Sequence, residues 1–483
     1  MQPLSALGPA FARLTSSMMP SQIVGLHLGS NICTRLRRIR PRLLVELVPS
    51  ITQHLSRHVA LLLALATLCG APQCVLAADA VTAWSLLVTS NAIGEFDPHA
   101  TTLMHAAMHD ALNAINPRYA RWTAAAPDEP PAADVAPEAA VAAAAHDVLV
   151  GMQPEAAVAA AAHHVLMGMQ TAESTPIEAA LAAALAAVPD GPRKTAGIAL
   201  GKAIAAATLA HDAGARDAPV ILFTQSDEPG HWRATPPDTH ARSGFPRIPL
   251  FSGAAARDLP VPGPPELDSP AYLAAVAEVR SLGRAVSTER SAAQTAAAFF
   301  FARQSSHRNF LNLAIRLLAA RPEPQDIWDS ARTMTLLSIA ESDSFILAWE
   351  AKERFHFWRP ITAIRKGGFG VTPEADWQPL VSTPEDPDHP SGHATECASG
   401  ATVLRLLFGT DAQPVRYIAT DSLFQLAREY PGFTALANEC AASRVWAGVH
   451  FRTANDAGQR LGEAVANHVV SSLLRPLHEK EQK

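Results

Sequence analysis

Seven residues in the last third of this 483-residue chain have types and spacings that suit one chemistry, the holding of a tetrahedral oxyanion. Lys352 and Arg359 are seven apart, so on a helix they fall within about 20° of each other, two turns apart on one face. Pro360 disfavours helical geometry at Arg359 and places its guanidinium at the helix end. His389-Pro390-Ser391-Gly392-His393 directly precedes ATECASGATVLRLLFG, in which Ala394, Cys397, Ala398, Ala401 and Leu404 mark a buried helix face. Ser391, Gly392 and His393 therefore sit at a helix N-terminus. Backbone N–H groups are free there, the dipole is positive, and a glycine lets an anion approach closely. His393 is positioned to exchange a proton with whatever those amides hold.

The third piece is SRVWAGVHFRTANDAG. A helix through Ser443 and Arg444 is expected to end around Gly448, leaving His450 on a turn, with Thr453 and Asp456 as a T-x-x-D cap for the final helix. On an unbroken helix Arg444 and His450 would point about 240° apart, and the break lets both turn inward. Any one of these pieces alone would read as a solvated cation pair or a capping turn. Together, Lys352, Arg359, Arg444, a helix N-terminus and two imidazoles hold more positive charge than a core tolerates without a counter-anion.

The supporting elements are helical. Alanine runs dominate, Tyr numbers only 4 and β-branched clusters are sparse, which favours helix over sheet. Helical periodicity is expected in VTAWSLLVTSNA and HATTLMHAAMHDALNAINPRY, and again in AYLAAVAEVRSLG, RSAAQTAAAFFFARQ, NFLNLAIRLLAA and WDSARTMTLLSIAESDSFILAWEAKERFHFW. His105 and His109 share a helix face four residues apart, a spacing that could bind a metal, but no acidic partner motif accompanies them and they read as core residues. PEAAVAAAAHDVLVGMQ from Pro137 and PEAAVAAAAHHVLMGMQ from Pro154 match at 15 of 17 positions, a local duplication. Seventeen residues rotate a helix face by about 260°, so a break at Gln153-Pro154 is expected and the second copy should be dispensable. From Asp217 to Pro270 the chain is rich in Pro, Gly and Asp, a long crossing or lid.

Charge is distributed unevenly. The first 78 residues carry seven arginines against Glu46, and since the whole chain is −6 the remainder carries −12. So acidic a body argues against nucleic acid or an anionic membrane as the main partner. The apolar run from Val59 to Leu68, followed by small residues with Val75 and Ala77 at A-x-A-like spacing, reads as a signal peptide with the mature chain beginning near Ala78 and the product periplasmic or secreted. Met18 and Met19 are alternative starts. Cys33, Cys69 and Cys74 fall in that segment, leaving Cys397 and Cys440, for which two reduced, buried side chains are the expectation. The domains expected are a presequence over 1–78, an N-terminal helical region over 79–270 with the repeat at 137–170 and the Pro-rich loop at 217–270, and a C-terminal helical catalytic region over 271–483.

K-x6-R-P, P-S-G-H and S-R-x5-H, in this order and spacing, resemble the three-part signature of the type 2 phosphatidic acid phosphatase and vanadium-dependent haloperoxidase superfamily. AWEAKERFHFWRPITAI, HPSGHATECASGA, SRVWAGVHFR, MHAAMHDALNAINPRY and GHWRATPP look like its soluble bacterial haloperoxidase branch, and the likeness runs roughly from Val81 to Leu474, omitting the repeat. It implies an all-α fold of two four-helix-bundle-like halves. It also implies vanadate as cofactor, bound axially by His450 and hydrogen-bonded by Lys352, Arg359, Ser391, Gly392 and Arg444, with His393 as the acid-base group. Hydrogen peroxide and a halide would be the substrates. In the phosphatases of the family the position of His450 is the nucleophile toward a phosphate ester, and phosphate is the isostere that competes for the cradle. Those phosphatases carry Asp four residues after the nucleophilic histidine, where this chain has Ala454. A histidine without its orienting carboxylate is weakened more as a nucleophile than as a ligand, so the residues favour a haloperoxidase over an exported acid phosphatase. A non-catalytic oxyanion-binding protein is the third reading, and His393 speaks against it. Halide preference, organic acceptor and a homo-oligomeric state are left open.

Overall fold

Proline and short polar side chains punctuate the helices. In the computed structural model, Pro98, Pro137, Pro176, Pro192, Pro270 and Pro360 each occupy the first turn of a helix, where the missing N–H costs nothing and φ is already set. Side chains of Asp79, Asp97, Ser269, Ser305 and Asp326 accept from orphan amides one turn on, and Ser291 with Gln294 forms a reciprocal capping box. The structure describes residues 79–477 apart from 91–95, 124–133, 154–174, 216–217, 236–244, 303, 322–325 and 420–425, all within the unit Leu76–Lys483. The basic presequence, its apolar run and the second repeat copy lie outside the described residues.

In chain order the helices are α1 (Ala80–Thr89), α2 (Pro98–Ile115), α3 (Pro137–Met152), α4 (Pro176–Ala186), α5 (Pro192–His211), α6 (Pro270–Leu282), α7 (Ala292–Phe300), α8 (Ser306–Ala319), α9 (Ile327–Phe355), α10 (Pro360–Lys366), α11 (Gly392–Phe408), α12 (Phe433–Trp446) and α13 (Arg452–Ser472). Two short antiparallel hairpins accompany them: β1 (Val220–Ile221) with β2 (Phe245–Pro246), paired Ile221 to Phe245, and β3 (Val415–Ile418) with β4 (Ala427–Tyr430), paired Val415 to Tyr430. The architecture is an all-α helical bundle. Among the described residues, the segment from Asp217 to Pro270 carries only β1, β2 and one 3₁₀ turn before α6 begins, as its composition predicts. The first repeat copy is α3, which ends at Met152 with Gln153 extended, in line with the expected break. Among the described residues no helix is long and apolar enough to cross a membrane.

Helix α9, 29 residues long, packs against α2, α11 and α13. His105 is wedged on α2 between Ser85 and Ser338, with ring nitrogens 2.9 and 2.6 Å from their hydroxyls, and His109 bonds Asp110 and Asn113. Both imidazoles are spent inside the bundle, as the structural reading had it. Where α11 crosses α13, Gly458 and Gly462 of α13 let the two backbones approach closely. A Cβ on Gly462 would lie 2.1 Å from the Thr395 carbonyl oxygen, and one on Gly458 2.6 Å from that of Ser391. A second apolar cluster of Tyr272, Trp358, Trp377 and Phe451 joins α6, α10 and the start of α13.

Three expectations need correction. Cys397 and Cys440 are bridged, with Cα atoms 6.5 Å apart: each lies on the buried face of its helix where α11 packs on α12, a pairing only tertiary structure brings about. Thr453 is not a cap, because α13 begins at Arg452 with Phe451 as its uncapped N-cap residue; the Phe451 ring is anchored in the second cluster and draws the helix start forward. Lys352 and Arg359 do not share a helix. Helix α9 stops at Phe355, His356 turns left-handed at φ 50°, and Arg359 is the N-cap residue of α10.

Candidate functional site

Pro360 starts a new helix, yet Lys352 and Arg359 still converge, because one carboxylate gathers them. Asp386 Oδ1 lies 2.9 Å from Lys352 Nζ and 2.8 Å from Arg359 Nη2. All three side chains are buried. Lys352 also donates to the Pro387 carbonyl. Arg359 donates through Nε to the Asp386 carbonyl and through Nη1 to the Val449 carbonyl and to His450 Nε2, the last at 2.9 Å. The expectation that these cations wait on a ligand for their counter-charge is therefore corrected: Asp386, four residues before the P-S-G-H run, supplies one from within the chain. A lysine has three donors and an arginine five, so each keeps about one hydrogen free for an incoming anion.

His450 sits on the turn after α12, past Gly448 at φ 80°, as expected. Its Nε2 accepts from a guanidinium that cannot lose its proton, so the ring hydrogen belongs on Nδ1. Nδ1 faces Asp388 Oδ1 at 3.1 Å but off the hydrogen-bond axis. Burial, followed by the charges of Arg359, Lys352 and Arg444, pushes the His450 pKa well below its ordinary value. Burial thus favours the neutral imidazole, whose Nε2 lone pair accepts from Arg359 Nη1. Burial raises Asp388 to about 7 against the opposing pull of Arg359 and Lys352. Lys352 is pushed down to about 8 by burial.

The N-terminus of α11 completes the cradle. Ser391 is its N-cap residue, but the hydroxyl makes no capping bond. That hydroxyl is buried and has no partner among the described residues, while the Ser391 backbone is fixed by its N–H to the Ala454 carbonyl at 3.0 Å. First-turn amides have no intrahelical acceptor. Arg444, on the last turn of α12, donates Nη1 to the Phe301 carbonyl at 2.9 Å and leaves Nε buried without a partner among the described residues. Burial and the nearby Arg359 lower its pKa to about 9. Unsatisfied buried donors of this kind fit an anion that accepts from several directions. The structure thus draws the sequence-derived residues into one region: Lys352, Arg359, Gly392, His393 and His450 line a single cavity, with Ser391 and Arg444 buried beside those neighbours. Asp386 and Asp388 escaped the sequence reading. Their only signal was two acids in a Pro-rich run just ahead of the helix start.

The cavity fits one resident group in particular. Among the described residues no cluster of three or more His, Cys, Asp or Glu could hold a bare metal ion. A metal oxyanion would take the Nε2 lone pair of His450 in place of Arg359 Nη1 and the donors of the cradle for its oxygens, with the carboxylates of Asp386 and Glu396 lining the same cavity.

Residues 332–479 match the family model for the second helical-bundle domain of VCPO. A vanadium chloroperoxidase of Curvularia inaequalis is 31% identical over 132 residues, covering 23% of this chain and 22% of that protein, so the match spans about a fifth of the curated relative's length. Among solved structures, a bacterial vanadium-dependent iodoperoxidase superposes with TM-score 0.59 at 21% identity, over 82% of this chain and 97% of that one. An apo-type bacterial vanadium-dependent chloroperoxidase gives 0.53 at 18%, over 78% and 94%. Residues 332–479 are thus similar to the second helical-bundle domain of VCPO, and the chain shares its helical fold with the two bacterial vanadium-dependent peroxidases.

Proposed function

We propose that the chain is a vanadate-dependent haloperoxidase that oxidises halide with hydrogen peroxide. The observation that carries this reading is the placement of His450: buried deep in the site, where burial favours its neutral form, with Nε2 facing Arg359 beside a helix N-terminus. His450 would be the one protein ligand. Lys352, Arg359 and Arg444 would donate to the oxygens and draw off their charge, Ser391 and the Gly392 amide would hold a further oxygen, and His393 would hold and release the proton that peroxide loses. When bound, vanadate supplies the Lewis-acidic centre that activates peroxide toward halide. The names of the matched relatives favour this reading over hydrolysis.

Asp388 favours a second reading, an acid phosphatase working through a phosphohistidine. Four residues after His450 stands Ala454, but a carboxylate from another part of the chain lies 3.1 Å from Nδ1, off its hydrogen-bond axis.

Purified protein would be assayed with vanadate, peroxide and each halide in monochlorodimedone halogenation, beside p-nitrophenyl phosphate hydrolysis without vanadate. Halogenation that requires vanadate and is blocked by phosphate is expected. His450→Ala should lose vanadate retention, whereas His393→Ala should keep vanadate and lose about 10²–10⁴-fold in rate. Ester hydrolysis with a trapped phosphohistidine, and no halogenation with any halide, would replace the first reading with the second.

A further inference from the structure

The seam between α11 and α12 is a ladder whose last rung belongs to the cradle. At its far end the rings of Phe408 and Phe433 lie 6.3 Å apart between centroids. Further along, Cys397 is bridged to Cys440, so the two helices run antiparallel. Buried Ala401 and Ala437 fall between these two rungs in sequence. Steps of three, four and seven residues keep to one face of a helix. Four more residues beyond the bridge reach His393 on α11 and Arg444 on α12, each about 6 Å along its axis from the tied cysteine. The bridge therefore stands one turn behind both.

Its sulfurs also press on the helix start itself. Cys440 Sγ lies 3.5 Å from the His393 carbonyl oxygen, and Cys397 Sγ 3.6 Å from Ser306 Oγ on α8. Both cysteines are fully buried. Helix α11 is set against α13 by close backbone contact at Gly458 and Gly462 and by the Ser391 N–H to the Ala454 carbonyl. Arg444 arrives from a different helix and must reach the same anion as the α11 amides. Its long side chain has rotamer freedom that binding has to freeze. A covalent tie one turn away fixes the backbone from which that side chain reaches.

We propose that the Cys397–Cys440 bridge is a positioning staple for the oxyanion cradle. It sets the Arg444 guanidinium at the correct distance from His393 and the α11 amides, so breaking it weakens anion binding in protein that is still folded. The proposal rests on the cradle as an oxyanion site and holds for either reaction that such a site performs. Reduction gives the cleanest break. Dithiothreitol supplies two electrons and two protons as its own thiols close into a ring disulfide, the sulfur–sulfur bond opens, and both sulfur atoms remain in place as thiols.

The test uses sulfate as the probe, with neither vanadate nor peroxide present. Parent protein is compared with parent unfolded and refolded in dithiothreitol, two additional free thiols being counted and folding confirmed by circular dichroism at the titration temperature. Calorimetry should show sulfate binding about tenfold weaker in the reduced protein, within the range of coupling between residues that share a network. Reoxidation with oxidised glutathione should restore it. A bridge that serves stability alone would lower the melting temperature and leave the affinity of the folded protein unchanged. In Arg444→Met the effect of reduction should shrink below about twofold, since the tie no longer leads to a donor. Cys397→Ala/Cys440→Ala carries the same comparison if the reduced parent does not refold. Equal affinity in the oxidised and reduced forms, or an undiminished effect in Arg444→Met, overturns the staple. No sulfate binding by the oxidised parent removes the cradle and the staple with it. Redox-dependent sulfate binding without halogenation leaves the staple standing and sinks the haloperoxidase reading.

Discussion

Replacing Asp386 with Asn should strengthen oxyanion binding while weakening the empty protein. The carboxylate lies 2.9 Å from Lys352 Nζ and 2.8 Å from Arg359 Nη2, so it competes for the donors an anion would use. An oxyanion taking the remaining hydrogen on each cation would sit about 5 Å from Asp386; at an effective dielectric of about 20 that like-charge contact costs about 3 kcal/mol, or about a hundredfold in affinity. In the anion-free protein the same change leaves buried cations without their partner, a loss of about 3–5 kcal/mol. Asp386→Asn should therefore melt below the parent without anion and recover disproportionately on adding sulfate, because a ligand bound only by the native state stabilises it in proportion to ln(1 + [L]/Kd). Sulfate titrations followed by calorimetry and by melting give both quantities. Weaker sulfate binding by a folded Asp386→Asn would refute the competition argument and make Asp386 a device for holding the cations in place.

Other changes separate the remaining parts. Asp388→Asn alters the group beside His450 Nδ1 and should lower vanadate affinity about 10–100-fold, read by equilibrium dialysis; unchanged retention would mean the off-axis contact orients nothing. As pH rises, Asp388, raised to about 7 by burial, gains its negative charge, and then Lys352, lowered to about 8, and Arg444, lowered to about 9, lose their positive ones, so sulfate affinity should fall from about pH 7 upward and Lys352→Met should remove the step at about pH 8 while leaving the other two. Removing the Cys397–Cys440 bridge with Cys440→Ser opens a loop of 43 residues and should cost about 4 kcal/mol of unfolding free energy, measured by denaturant titration. Gly462→Ala places a methyl 2.1 Å from the Thr395 carbonyl oxygen; an overpacking cost of about 1–3 kcal/mol exceeds a helix-propensity gain of about 1, so the melting temperature should fall despite the better helix former.

The cradle was legible in the sequence wherever a local rule governs it. Ser391-Gly392 at a helix start and the break at Gly448 follow from capping and glycine chemistry that operates within a few residues. Asp386 and Asp388 were not legible, because their role depends on a fold that brings a Pro-rich run against Lys352, Arg359 and the turn at His450, and nothing in their spacing encodes it. The inference drawn from Ala454 took in only the helix that follows the histidine, whereas a carboxylate of another segment, Asp388, lies 3.1 Å from His450 Nδ1. Lys352 and Arg359 converge although the rule predicting it was wrong, since the left-handed turn at His356 breaks the helix and Asp386 restores the meeting. The bridge between Cys397 and Cys440 likewise joins helices whose packing no periodicity reveals.

Ser342, Phe345, Trp349 and Lys352 all line the cavity, and their spacing puts them on one face of α9. At about 1.5 Å per residue, Phe345 stands about 10 Å from Lys352 along the axis and Trp349 about 4.5 Å. The helix is thus a measuring rod with its zero at the cradle and two apolar graduations. A single inserted residue between the two marks would turn Phe345 by about 100° and take it off the scale.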